Sequence, residues 1–162
     1  MKWIVKIGLT VAFGLYLFIL TKFILFKHLA ISDIMDRFAF RYGGPYWNSH
    51  NFVPFKTIAN YLFLANDINF NIRVQNLIGN IIGFIPFGFM VSLWSGKFQS
   101  MKKIGIATFG LSLTYELLQL VFRFGSFDVD DLILNTIGGM IGYVPVKLAS
   151  VYVKRSQKYF RR

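Results

Sequence analysis

The chain has no cysteine among its 162 residues, which excludes a disulfide frame and a thiolate metal site. Charge is sparse: 15% of residues are Asp, Glu, Lys or Arg, against 55% hydrophobic and 19% aromatic. That is too little polar surface to cover a water-soluble domain of this size. Acids are scarcer still, 7 against 18 Lys and Arg. No stretch alternates apolar and polar residues with the period of a strand, so helix has no competitor in the pattern. What remains describes an all-α membrane protein.

Four runs are long and apolar enough to cross a hydrocarbon core, which takes about 20 helical residues. They cover residues 3–26, 74–94, 104–122 and 132–153. The expected architecture is a single domain over residues 1–162: a bundle of four transmembrane helices, an outer loop at 27–73 and a basic cytoplasmic tail at 154–162. Lys2 and Lys6 precede the first run as they would in a signal peptide. The run is too long for one and no small-residue cleavage site follows, so it reads as a retained anchor.

Lys2, Lys6, Lys97, Lys102, Lys103 and the tail cations Lys154 to Arg162 fall on one side of this arrangement, with no acid among them. Both termini are therefore expected in the cytoplasm. Most of the +11 net charge is then a positive-inside signature plus a tail that anionic headgroups can hold. The cations are scattered at span edges and carry no binding-fold motif, which argues against a nucleic-acid partner.

The outer loop contains "SDIMDRFAFRYGG". Ser32 is a candidate N-cap, acids follow in the first turn, basic residues sit in the last, and Gly43 is placed to stop the helix. A short interfacial helix is expected there. A Gly/Pro/Asn-rich loop follows, with Tyr46 and Trp47 suited to the headgroup zone, and then a second short helix from Pro54.

One peptide occurs twice. "NLIGNIIGFIP" begins at Asn76 and "NTIGGMIGYVP" at Asn135, identical at six of eleven positions. Asn76, Gly79, Gly83 and Pro86 fall at i, i+3, i+7 and i+10, and Asn135, Gly138, Gly142 and Pro145 repeat that spacing, so each set shares one helix face. Lipid gives helices no hydrophobic reason to associate, and small residues that let backbones approach are what a membrane interface uses. Gly79, Gly83, Gly138 and Gly142 are thus expected to pack the second span against the fourth.

Polar residues gather toward the outer ends of the spans. Glu116 lies six residues below the end of the third, and Asn80 six residues into the second. Gln119 is near the level of Asn76 and Asn135, while Arg123, Asp128, Asp130 and Asp131 form a rim. Glu116, Gln119 and Arg123 follow i, i+3, i+7 and share a face. An intramembrane carboxyl is unfavourable by several kcal/mol and usually marks a site or a pathway. Two readings of Glu116 stand: a protonated side chain bonded to Asn80 or Gln119 as helix glue, or a ligand-facing or proton-handling group. For the rim acids the plain reading is an exposed loop capping the fourth helix. Asp130 suits it best, whereas Asp131 shares a face with Asn135 at i+4. The candidate pocket is Glu116, Gln119, Arg123, Asp128, Asp131, Asn135, Asn76 and Asn80. His28 and His50 fall outside these motifs.

"NLIGNIIGFIPFG", the intramembrane "ExxQ" at Glu116 and Gln119, and then Arg123, Asp128, Asp131, Asn135, Gly138 and Gly139 in order resemble the VanZ-like family of small bacterial membrane proteins. "LFK" at Leu25–Lys27 and "NFVPF" at Asn51–Phe55 also resemble it, and the likeness covers about residues 20–145. The resemblance implies a bacterial plasma-membrane protein linked to glycopeptide tolerance, teicoplanin in particular. Two function classes follow. In the first, an outer-facing polar pocket binds a membrane lipid, a lipid-linked peptidoglycan precursor or a lipoglycopeptide. In the second, an intramembrane enzyme uses Glu116 and Asp131 for acid–base or metal-ligand chemistry, with Arg123 holding a phosphate. No activated nucleophile is visible, no catalytic residue is assigned, and the pattern calls for no cofactor and no metal. Transport would need an oligomer to enclose a path.

Overall fold

The computed structural model describes residues 2–26, 29–41, 49–64, 70–94 and 100–160. Expectations that rest on Lys27, His28, Gly43, Tyr46, Trp47, Lys97, Arg161 and Arg162 lie outside the described residues. The chain forms α1 (Lys2–Leu25), α2 (Ile31–Phe38), α3 (Lys56–Ala59, continued by a π-type turn over Asn60–Leu64), α4 (Phe70–Trp94), α5 (Met101–Phe122) and α6 (Val129–Phe160). Among the described residues no strand occurs, only an isolated bridge between Asn51 and Asp128.

α1, α4, α5 and α6 are each long and apolar enough to cross a membrane. Three of them start three or more residues before the apolar runs do, because a run ends where charge begins while backbone hydrogen bonding continues into the interface. α4 thus takes in Asn71 and Arg73, α5 takes in Lys102 and Lys103, and α6 takes in Asp130 and Asp131. α6 continues past the fourth apolar run through basic residues to Phe160, since Lys and Arg are good helix formers and no Gly or Pro lies between Pro145 and Phe160.

The short helices differ in their caps. α2 starts after Ala30 rather than at Ser32, because the Asp33 carboxylate reaches back to accept the Ala30 N–H at 3.2 Å. It ends at Phe38, with Phe40 in the left-handed region at φ 55°, ahead of Gly43. α3 is entered through Phe55, also left-handed at φ 66°.

α4 packs most extensively on α6, α5 packs next on α6, and α1 lies lightly on α4 and α5. A Cβ on Gly138 would strike the Ile81 carbonyl, one on Gly142 the Ile85 carbonyl, and one on Gly88 the Gly139 carbonyl. The α4 face that meets α6 is therefore Ile81, Ile85 and Gly88, spaced i, i+4, i+7. Gly79 and Gly83 do not pack there. A Cβ at Gly79 would meet nothing within 4 Å, and one at Gly83 only Leu20 Cδ1 at 3.7 Å. The cause is angular: Gly79 stands two residues from Ile81, about 200° around the helix, and so on the opposite side. On the other face of α6, Gly139 lies against Thr108 of α5.

Alanine at Gly88, Gly138 or Gly142 should force the two backbones apart, at a cost of about 1–3 kcal/mol or more for each overpacked site. Gly79→Ala should leave the melting temperature of the purified chain in detergent near that of the parent. A Gly79→Ala chain that melts as early as Gly138→Ala would contradict this assignment of faces.

Candidate functional site

At one end of the bundle, residues 50–58 and 126–130 close on each other in a polar clasp. The Asn51 N–H donates to Phe127 O at 2.8 Å, and the Val129 N–H donates to Asn51 O at 3.0 Å. Asn51 Nδ2 and the Thr57 hydroxyl then donate to the two oxygens of Asp128, at 2.8 and 2.6 Å. The Phe127 N–H donates to His50 Nδ1 at 2.9 Å, so His50 holds its proton on Nε2.

Asp130 is 0% exposed, not the exposed loop residue expected. Its carboxylate accepts the N–H groups of Phe55, Thr57 and Ile58 at 2.5, 2.7 and 3.0 Å. It thereby satisfies the open first turn of α3 from 72 to 75 residues away. His50 was also expected to lie outside the polar motifs. It is buried within the clasp, and burial lowers its pKa from the ordinary imidazole value.

Below the clasp, Glu116 of α5 is 2% exposed and accepts the Asp128 N–H on Oε2 at 2.8 Å. Its partner is neither Asn80 nor Gln119. Asn80 Nδ2 donates to Asp131 Oδ1 at 2.6 Å, because α6 begins early enough to bring Asp131 opposite α4. Gln119 Nε2 donates to Ile24 O of α1 at 3.1 Å. Asn76 Nδ2 donates to the Tyr61 hydroxyl at 3.1 Å, and Asn135 Nδ2 to the Ser112 hydroxyl at 2.8 Å.

A cavity of about 750 Å³ lies between α1, α4, α5 and α6. Glu116, Gln119, Asp131, Asn135, Asn76 and Asn80 all contribute to its wall, and so do Gly79 and Gly83. Arg123 and Asp128 do not. Arg123 takes a left-handed conformation at φ 54° and ends α5, so the i+7 extrapolation from Glu116 breaks at the last step. Asp128 is held in the clasp.

Sequence reasoning also missed contributors. Tyr16 lines the cavity and ties α1 to α4 by donating to Gly83 O at 2.7 Å, and Gln75 and Ser126 line it as well. Nothing in the helical periodicity marked Tyr16 among the many aromatics of α1. Ile19 and Phe23 of α1 and Ile82 of α4 are wall residues that are also exposed, which places the mouth between those two helices, facing the bilayer. Only 6% of the apolar window of α1 is buried. The site is thus amphipathic, with apolar residues at the mouth and carboxyls and amides at the inner end. Among the described residues no three His, Asp or Glu lie close enough to hold a metal ion together.

The VanZ/LLP1 family model matches residues 5–150. Protein VanZ of Enterococcus faecium is 32% identical over 94 residues, a match covering 58% of this chain and 50% of that protein. The chain therefore spans about half the length of this curated relative. No solved structure matches.

The clasp gives a stability prediction. Hydrogen bonds to charged groups contribute about 1.5–3 kcal/mol each, so Asp130→Ala should lower the melting temperature sharply, whereas Asp131→Asn, with one bond and a cavity position, should lower it little. Acid acts in the same direction. Burial keeps His50 neutral, so its contribution is present above about pH 6.5 and is lost as pH falls through that value toward the depressed one. His50→Asn retains an acceptor and should flatten this part of the pH profile; an unchanged profile would remove His50 from the account.

Proposed function

Because the chain belongs to the VanZ/LLP1 family, we propose that it is a bacterial plasma-membrane protein whose polar cavity holds the head of a lipid or lipid-linked cell-wall precursor. In this reading both termini are cytoplasmic and the clasp end faces outward, where such a molecule meets a glycopeptide. Holding it changes how a drug of the teicoplanin type reaches its target, which links the protein to glycopeptide tolerance.

One observation carries the reading: a cavity of about 750 Å³ whose mouth is apolar and whose inner end presents Glu116 and Asp131. Carboxyls placed inside a membrane bundle are costly and are retained where they serve a site. The volume lies within the range of small-molecule sites and suits a lipid head with the first part of a chain.

The test has two arms. Since the chain lacks cysteine, single replacements at Ser49 and Ser100 report sidedness directly and should label from outside and inside the cell respectively. In a deletion strain, Glu116→Gln keeps an oxygen for the Asp128 N–H and removes only the ionisable group. It should accumulate normally yet lose any tolerance or envelope phenotype. Arg123→Asn, which suits the left-handed backbone and lies off the cavity wall, should retain that phenotype. Full complementation by Glu116→Gln would defeat the proposal at its central residue.

A further inference from the structure

The cavity wall is lopsided in its charged groups, which among the described residues are the carboxyls of Glu116 and Asp131. The amides of Asn80, Asn135 and Asn76 each place one of their two N–H groups, and Gln119 at least one, on a partner inside the protein, and the Tyr16 hydroxyl donates to Gly83 O. Acceptors are left over. Glu116 uses Oε2 and Asp131 uses Oδ1, and neither second carboxyl oxygen has a hydrogen bond among the described residues. Asn135 is 4% exposed, and its Oδ1 is buried with no partner there either. No Lys or Arg among the described residues lines the cavity.

This pattern selects a ligand. A buried acceptor left unpaired costs about 1–3 kcal/mol, and more when charged, so the complementary head supplies donors. A primary ammonium has three N–H donors, no acceptor and a positive charge. A phosphate has the reverse character: it sets further acceptors and a like charge against two carboxyls, with no lining cation to offset them. The buried Asn135 oxygen, on a different turn of α6 and uncharged, points to the same donor-rich ligand independently.

We propose, resting on the lipid-binding reading above, that the cavity receives a primary ammonium carried by a lipid, with that group directed to Glu116 and Asp131 and the chain leaving between α1 and α4. Phe23 and Ile82 flank the mouth, and the bare backbone at Gly79, with nothing within 4 Å of a Cβ position, leaves room beside it. The ammonium can belong to a phospholipid head or to the peptide of a lipid-linked cell-wall precursor, and the assay separates these sources.

The full chain, purified in neutral detergent, is titrated by native mass spectrometry with dioleoyl phosphatidylethanolamine, phosphatidylcholine and phosphatidic acid. A polyprenyl-linked disaccharide pentapeptide with its lysine free or acetylated is titrated alongside. An amine-bearing probe should bind at least about tenfold more tightly than phosphatidic acid, and than phosphatidylcholine, whose ammonium has no N–H. Asp131→Asn and Glu116→Gln, both of which preserve the internal bonds, should each reduce that preference. If only phosphatidylethanolamine shows the preference, the source is a phospholipid; if only the free-lysine precursor shows it, the source is the precursor. Equal binding of all lipids, or tightest binding of phosphatidic acid, overturns the ammonium assignment and leaves the lipid site standing. Binding of none of the probes overturns both.

Discussion

The fold depends on two helices touching backbone to backbone. In lipid there is no water to expel from between α4 and α6, so close packing must hold them, and close packing requires that side chains be missing at the crossing. Gly88, Gly138 and Gly142 are where they are missing, each facing a carbonyl of the other helix. The glycines of the duplicated peptide serve this contact in one copy only. In α6 its glycines meet α4, while in α4 the matching Gly79 and Gly83 look the other way and become the wall of the cavity. One motif thus closes an interface and opens a space.

A second constraint is that polar groups at the membrane edge must find partners within the protein. The acids near the clasp end divide this task. Asp130 is spent on the backbone N–H groups of Phe55, Thr57 and Ile58 at the start of α3, and Asp128 on Asn51, Thr57 and the Asp130 N–H. Glu116 and Asp131 each accept one internal bond and retain one oxygen for the cavity. Rigid acids beside adaptable ones let the same short stretch, Asp128 to Asp131, fasten the loop and present a site. α1, held to the rest by a few hydrogen bonds and mostly bare, forms one side of the mouth.

Hydropathy made the four spans legible because length and apolar content are set by the bilayer. Depth along a helix set Glu116 level with Asn80, Gln119 level with Asn76 and Asn135, and Asp131 at the rim above them, and all six line one cavity. Arg123 escaped this reasoning because a helix ends in a left-handed residue there, which periodicity cannot foresee. The pairing of Asn51 with Asp128 spans 77 residues and belongs to no repeat, so nothing local announces it. The role of Gly79 was misread for another reason: identical spacing in two helices fixes the relative positions within each face, not which neighbour that face meets.

The most direct measurement is a cryo-electron microscopy map of the full chain in a lipid nanodisc, with an antibody fragment to provide size. The account predicts an elongated density between α1 and α4, with its polar end against Glu116 and Asp131 and its tail running past Phe23 and Ile82 into the bilayer. A map in which α1 closes directly onto α4, leaving Glu116 and Asp131 bonded to each other or to protein groups and no space beside Gly79, would contradict it.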